Sequence, residues 1–221
     1  MDDDDRKLLT PTDIEAADLP DWRVLFDTLH ARFATGDFAT GLALANRIGA
    51  AAEEANHHPD LVLSYPVLFV RLSSHDVGGL TRRDVEVART ISGYAAEADV
   101  PDEPAELSVV ELALDTAVAD RIAPFWAAVL GYESPDPGVD ELADPDGLLP
   151  TLWFQDSDSH ETPRQRFHYD VRVPPEQAQA RIEAAIAAGG TLVSDDAAPS
   201  FTVLADAEGN KACITTWQGR D

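Results

Sequence analysis

The chain has 221 residues, 44% of them hydrophobic, enough for one large or two small packed domains and too apolar for global disorder. Acidic residues outnumber basic ones 41 to 16, a formal net charge of −25, so nucleic acid and anionic lipid are repelled over most of the surface and are excluded as partners. No apolar run approaches the roughly 20 residues of a membrane span, the Met1-Asp2-Asp3-Asp4-Asp5 start is the reverse of a basic, apolar signal peptide, and the single Cys213 forms no intrachain disulfide. The expectation is a cytoplasmic protein from an acidic proteome, with salt adaptation left open by the composition.

Asp13 to Ala17 fits a short helix. Trp22 to Phe33 is rich in strand formers and predicts one or two strands. Asp37 suits the N-cap of a helix over Phe38 to Asn56, with Leu44, Ile48, Ala51 and Ala55 on its apolar face. Leu61 to Ser74 is strand-like, with a bend or edge position at Pro66. Thr81 opens a second long helix with Ala88, Ile91 and Ala95 in one stripe. Residues 97–107 are rich in proline and acid, a linker composition centred near residue 103. The expected division is therefore a first domain over 1–100, a linker over 101–107 and a second domain over 108–221.

The second half repeats itself. A strand-like segment, Ser108 to Leu114, precedes a stripe of Ile122, Phe125, Trp126, Val129 and Leu130 that stops at Gly131. Phe167 to Val173 precedes a second stripe, Ala178, Ile182, Ala185 and Ile186, that stops at Gly189-Gly190. Each is followed by short strands and an acidic turn, Asp144-Pro145-Asp146-Gly147 in one and Asp206-Ala207-Glu208-Gly209 in the other. Two βαβββ units in tandem fit this order, each completing the core of the other.

Chemistry concentrates between Glu53 and Asp84, where three of the six histidines stand: His57, His58 and His75. Imidazole titrates near neutrality, so such a cluster points to proton transfer or to metal binding. Pro59 disfavours helix just before it, which places His57 and His58 at a helix exit. His75 follows the next strand segment, and strand pairing would bring both to one cleft. Zinc ligation lacks paired cysteines or an HExxH spacing. A purely structural role for the histidines is the remaining reading. Asp84 closes a near capping box with Thr81, which is compatible with a catalytic role as well. Glu53 lies four residues before His57, placed to solvate the helix face or to orient that ring.

The spacing of Glu53, His57-His58-Pro59, Tyr65, His75 and Asp84 resembles the motif of the pterin-4a-carbinolamine dehydratases. Phe33, Asp37-Phe38, Asn46-Arg47 and Gly78-Gly79-Leu80-Thr81 add to the likeness, which covers about residues 8–97. Leu61 departs from it, standing where many members have tryptophan. The resemblance implies an α+β fold, an antiparallel sheet backed by helices, in a homo-oligomer. It implies dehydration of 4a-hydroxytetrahydrobiopterin by histidine acid–base chemistry. His57 and His75 would be the acid and base, and His58 would chiefly bind the pterin. Glu53, Pro59, Asp37, Ser74 and Asp84 would line the substrate site. No metal or organic cofactor is required. A non-catalytic pterin-binding or partner-binding module is the alternative.

Phe125-Trp126-x-x-Val129-Leu130-Gly131-Tyr132, then Arg166-Phe167-His168-Tyr169-Asp170-Val171, then Asp206-x-Glu208-Gly209-Asn210 resemble the vicinal oxygen chelate superfamily and its glyoxalase-like branch. The resemblance implies paired βαβββ modules around a cup. Classical members hold a divalent metal with four side chains, and the matching positions are about Glu111, Gln155, His168 and Cys213. Cysteine replaces a common glutamate there, which alters the quartet. A metal-free pocket for an unknown small ligand is therefore expected; Trp126, Trp153 and Trp217 are candidates to line it, though aromatic residues at helical or strand spacing are more often core. A metal-dependent lyase or dioxygenase is its rival.

Overall fold

The computed structural model describes residues 3–109, 111–133, 138, 140–159, 168–173, 175–216 and 218. It divides after Val109 into two compact units, both of mixed α and β structure.

In the first unit, α1 (Pro11–Ala16) starts at a Thr10 capping box. The expected strand region splits into β1 (Trp22–Leu25) and β2 (Thr28–Ala34), an antiparallel hairpin. Helix α2 (Phe38–Ala55) begins where expected, with the Asp37 carboxylate accepting from the Thr40 N–H at 2.7 Å. Its buried face is Gly41, Leu44, Ile48 and Ala52. Ala51 and Ala55 turn away from the core, so that part of the expected stripe is corrected by one residue. The strand-like stretch after Pro59 is a hairpin, β3 (Asp60–Ser64) and β4 (Val67–Leu72), with Tyr65 and Pro66 in its turn. Helix α3 (Arg82–Glu97) follows, capped by Thr81.

The four strands form one antiparallel sheet in the order β1-β2-β4-β3. Period-two alternation turns Leu29, Ala31 and Phe33 of β2 inward, together with Leu68, Val70 and Leu72 of β4. Leu44 and Ile48 of α2 and Ala88, Ile91 and Ala95 of α3 close over this face. Trp22 meets Phe33 edge to face at 6.4 Å and donates its Nε1–H to Ser92 Oγ at 3.0 Å. Part of the segment expected as a linker is tied to this sheet. β1 pairs with β2 only as far as Ala31, and beyond it Ala34 N–H donates to Pro101 O and Glu103 N–H to Arg32 O.

The second unit contains β5 (Leu112–Thr116), α4 (Ala119–Leu130), β6 (Glu141–Leu142) and β7 (Leu152–Asp156). Then come β8 (Tyr169–Arg172), α5 (Pro175–Ala187), β9 (Thr191–Ser194), β10 (Phe201–Ala205) and β11 (Lys211–Thr215). The strands form two sheets, β5-β7-β6 and β8-β11-β10-β9, each with one parallel pair, β5 with β7 and β8 with β11. The second module is βαβββ; the described residues of the first give βαββ. Strand β5 runs two residues past the expected Leu114, because Asp115 and Thr116 pair with Gln155 and Asp156. Gly131 ends α4 in the left-handed region, φ 81°, where a side chain is strained.

Gly190 follows α5 against α4. A Cβ there would run into the Phe125 ring and lie 2.8 Å from the Ala185 carbonyl oxygen. Gly190→Ala is expected to destabilise the second unit by about 1–3 kcal/mol, the cost of overpacking a filled core. Urea unfolding monitored by tryptophan fluorescence measures it, and an unchanged midpoint would contradict the close approach.

Candidate functional site

The α2 exit divides the adjacent histidines. Asn56 takes the left-handed conformation, φ 46°, and the His57 N–H returns to Ala52 O at 3.1 Å. This turn sends the His57 ring inward, 7% exposed, while His58 stays at the surface. His57 Nε2 lies 2.7 Å from Asp84 Oδ1. His58 Nε2 lies 3.2 Å from Glu53 Oε1. Glu53 therefore partners His58 across the helix end, not His57 as its four-residue spacing suggested.

Asp84 is fully buried at the start of α3. Its Oδ2 accepts from the Thr81 N–H at 2.8 Å and from the Ser74 hydroxyl at 2.7 Å, and Ser74 Oγ lies 2.9 Å from Thr81 Oγ1. Burial pushes the Asp84 carboxyl upward, but the hydrogen bonds from His57, Thr81 and Ser74 together outweigh it and hold the group below the usual carboxylate range. An ionised Asp84 accepts only, so His57 donates to it through Nε2–H. The capping box and the histidine partnership are thus both present in one carboxylate.

His75 sits one residue after Ser74, exposed, in the turn that leads to α3. Asp60 pairs with Arg71, so the residues just before β3 run alongside those just after β4. This register draws the α2 exit and the Ser74–Gly79 turn to the same end of the hairpin. Asp76 in that turn is held by Arg83 at 2.7 Å and by Arg6 at 3.2 Å. The Arg83 hydrogen bond, more than its charge and that of Arg6, keeps the Asp76 carboxyl below its ordinary value.

Other expected site residues fall elsewhere. Asp37 caps the far end of α2, roughly 27 Å from the His57 end at 1.5 Å per residue. Its carboxylate serves the helix and does not join the cluster. Tyr65 lies in the β3–β4 turn, also at the far end, 72% exposed. Ser74 and Asp84 face each other and His57 rather than an open surface. Pro59 lies half-buried between His58 and β3.

In the second unit the ligand atoms of His168, Asp170 and Cys213 lie within 4.8 Å of one another. Asp170 is the addition to the sequence reading. It stands two residues after His168, which just precedes β8, and opposite Cys213 in the β8–β11 register. Glu111 does not gather with them among the described residues. Gln155 lines a cavity of about 410 Å³ instead, with Trp153, Thr116 and Asp140. Burial first, then the Asp170 charge and hydrogen bond, push the Cys213 thiol up, so it is protonated at neutral pH. His168 and Asp170 are more than half exposed, at 54% and 64%. With sulfur in place of a carboxylate oxygen and two exposed partners, this set does not match the hard-ion donors of the classical quartet.

Trp126 is a core residue and not a pocket wall. It is 1% exposed and donates its Nε1–H to Asp206 Oδ2 at 3.0 Å. The same carboxylate accepts from the N–H groups of Glu208 and Asn210, so the Asp206–Asn210 motif shapes a turn. Trp217 lies outside the described residues.

Comparison with known proteins agrees with both halves. The family described as pterin 4 alpha carbinolamine dehydratase matches residues 7–94, and the glyoxalase-like domain matches residues 111–215. A protein of Thermosynechococcus vestitus named "Putative pterin-4-alpha-carbinolamine dehydratase" is 45% identical over 89 residues, 39% of this chain and 94% of that protein. One of the same name from Nostoc punctiforme is 41% identical over 88 residues, 39% of this chain and 95% of that protein. Among solved structures, a transcriptional coactivator/pterin dehydratase from Brucella melitensis is 26% identical, with a TM-score of 0.39, over 40% of this chain and 99% of its own. A glyoxalase/bleomycin resistance protein/dioxygenase family enzyme from Burkholderia phytofirmans is 20% identical, with a TM-score of 0.38, over 48% of this chain and 95% of its own. Through its first unit the chain belongs to the pterin-4a-carbinolamine dehydratase family, and it carries a glyoxalase-like domain behind it.

Proposed function

We propose that the first unit dehydrates a 4a-hydroxytetrahydropterin to the quinonoid dihydropterin, with His57 and His75 as the proton-transfer groups. The observation that carries this is the buried His57–Asp84 pair, at 2.7 Å, beside the turn that bears His75. In the reaction the C4a–O bond breaks, the departing hydroxyl takes up a proton and leaves as water, N5 loses its proton, and a C4a=N5 double bond forms. No electrons are exchanged with an outside acceptor, so an acid and a base are sufficient. His57, with its proton held on Nε2 by Asp84, presents Nδ1 as the exchanging atom. His75 supplies the second proton-transfer group from the turn. His58, turned outward and partnered by Glu53, serves pterin binding.

The test is direct. Wild-type protein is expected to accelerate loss of water from an enzymatically generated 4a-hydroxytetrahydropterin, followed by the absorbance of the quinonoid product. Pterin binding without acceleration would favour the non-catalytic module. We also assign the dehydratase to residues 1–109 and a separate small-ligand role to the second unit, whose cavity of about 410 Å³ lies within the usual range for such sites. A chain cut after Val109 is expected to leave full dehydratase activity in the first piece. Activity only with both pieces present would show that the second unit contributes to the reaction.

A further inference from the structure

Ser74 occupies the junction between the two histidine-bearing segments. Its backbone closes the turn that carries His75: its N–H donates to Gly79 O at 2.9 Å, and its carbonyl accepts from Val77 N–H at 3.1 Å and Gly78 N–H at 3.0 Å. Its side chain reaches in the other direction, to Asp84 Oδ2 at 2.7 Å. Ser74 is 1% exposed and Asp84 0%, so water does not substitute for this hydrogen bond.

The start of α3 does not need the Ser74 hydroxyl. Thr81 N–H on Asp84 Oδ2 and Arg83 N–H on Thr81 Oγ1 already form the cap. What the extra donor adds is direction. With Oδ2 held by the Thr81 N–H and the Ser74 hydroxyl, at 2.8 and 2.7 Å, and more loosely by the Thr81 hydroxyl at 3.2 Å, the carboxylate plane is set and Oδ1 is left for His57 Nε2. Without Ser74 both remaining donors to Oδ2 come from the one residue Thr81, the hydroxyl at the longer distance, and the carboxylate can swing about its χ2 torsion, which is broad for aspartate.

We infer that Ser74 is a positioning residue, acting through Asp84, that holds the His57 ring in its Nε2–H form and ties it to the turn bearing His75. The assignment of a reaction to this pair rests on the dehydratase reading above; the geometry itself does not.

The experiment uses the full chain, as wild type, Ser74→Ala and Ser74→Thr. Nitrogen-15 NMR of labelled histidine reports which ring nitrogen of His57 carries the proton, with no substrate present. Wild type is expected to show the single Nε2–H form, Ser74→Ala a mixture of the two forms, and Ser74→Thr, which keeps a hydroxyl on the same Cβ, the wild-type signal. In turnover, Ser74→Ala is expected to lose about tenfold in kcat, the scale of one hydrogen bond to a charged group, with KM little changed and Ser74→Thr close to wild type. A folded Ser74→Ala protein with an unaltered His57 spectrum overturns the inference, as does a Ser74→Thr protein as impaired as Ser74→Ala. Should Ser74→Ala fail to fold, Ser74→Cys, a weaker donor of similar shape, is expected to show the same changes at smaller size, and a wild-type spectrum and kcat there would overturn the inference. Absence of turnover in wild type would defeat the dehydratase reading instead, and the spectra would still decide the role of Ser74.

Discussion

His57→Ala and His75→Ala are each expected to lower turnover of the 4a-hydroxytetrahydropterin by roughly one to three orders of magnitude, the scale of one acid–base group. The two losses have different origins. Removing His57 takes away a ring whose orientation the protein has already set, because Asp84 accepts its Nε2–H at 2.7 Å in a buried site. It also leaves the Asp84 carboxylate short of a partner, so His57→Ala should lose stability along with rate. His75 is exposed in its turn, and His75→Ala should lose rate with little change in unfolding midpoint. Single-turnover rates measured beside urea unfolding separate the two. A folded His75→Ala protein with the wild-type rate would remove His75 from the mechanism.

Asp84→Ala is expected to destabilise the first unit by about 3 kcal/mol, because it strands several buried partners at once. The Ser74 hydroxyl, the Thr81 N–H and the His57 Nε2–H all lose their acceptor in a buried site. For a unit of this size that is a fall of roughly 10–20 °C in Tm. The same carboxylate makes stability depend on pH. Its folded pKa lies below its ordinary value, so its contribution is fully present above the ordinary carboxylate range and is lost as pH falls through the depressed folded value. Asp84→Ala should therefore flatten the acid limb of the wild-type stability curve. Equal acid sensitivity in wild type and variant, or a loss under about 1 kcal/mol, would show that Asp84 is only a helix cap.

Local devices were legible in the sequence. The Asp37 cap of α2, the Thr81–Asp84 capping box, the stop at Gly131 and the strand character on either side of Pro66 all depend on neighbours within a few residues. The histidine motif was legible for the same reason, since its spacing is a sequence property. Contacts across longer separations were not. His57 meets Asp84 27 residues away, Cys213 meets Asp170 across two parallel strands, and Trp126 reaches Asp206 80 residues on. Spacing left Glu53 free to solvate its face or to orient His57, and Trp126 to line a pocket or to join the core; the fold pairs Glu53 with His58 and buries Trp126.

By itself the sequence determined the spacing of the histidine motif and where most helices and strands begin, because residue type, period and capping act locally. The tertiary structure decided which way each of those side chains faces. A left-handed residue at Asn56 separates His57 from His58, sending one to a buried carboxylate and the other to the surface. Burial then keeps the hydrogen bonds of Asp84 with His57 and Ser74 away from competing water, because polar contacts strengthen at low local dielectric.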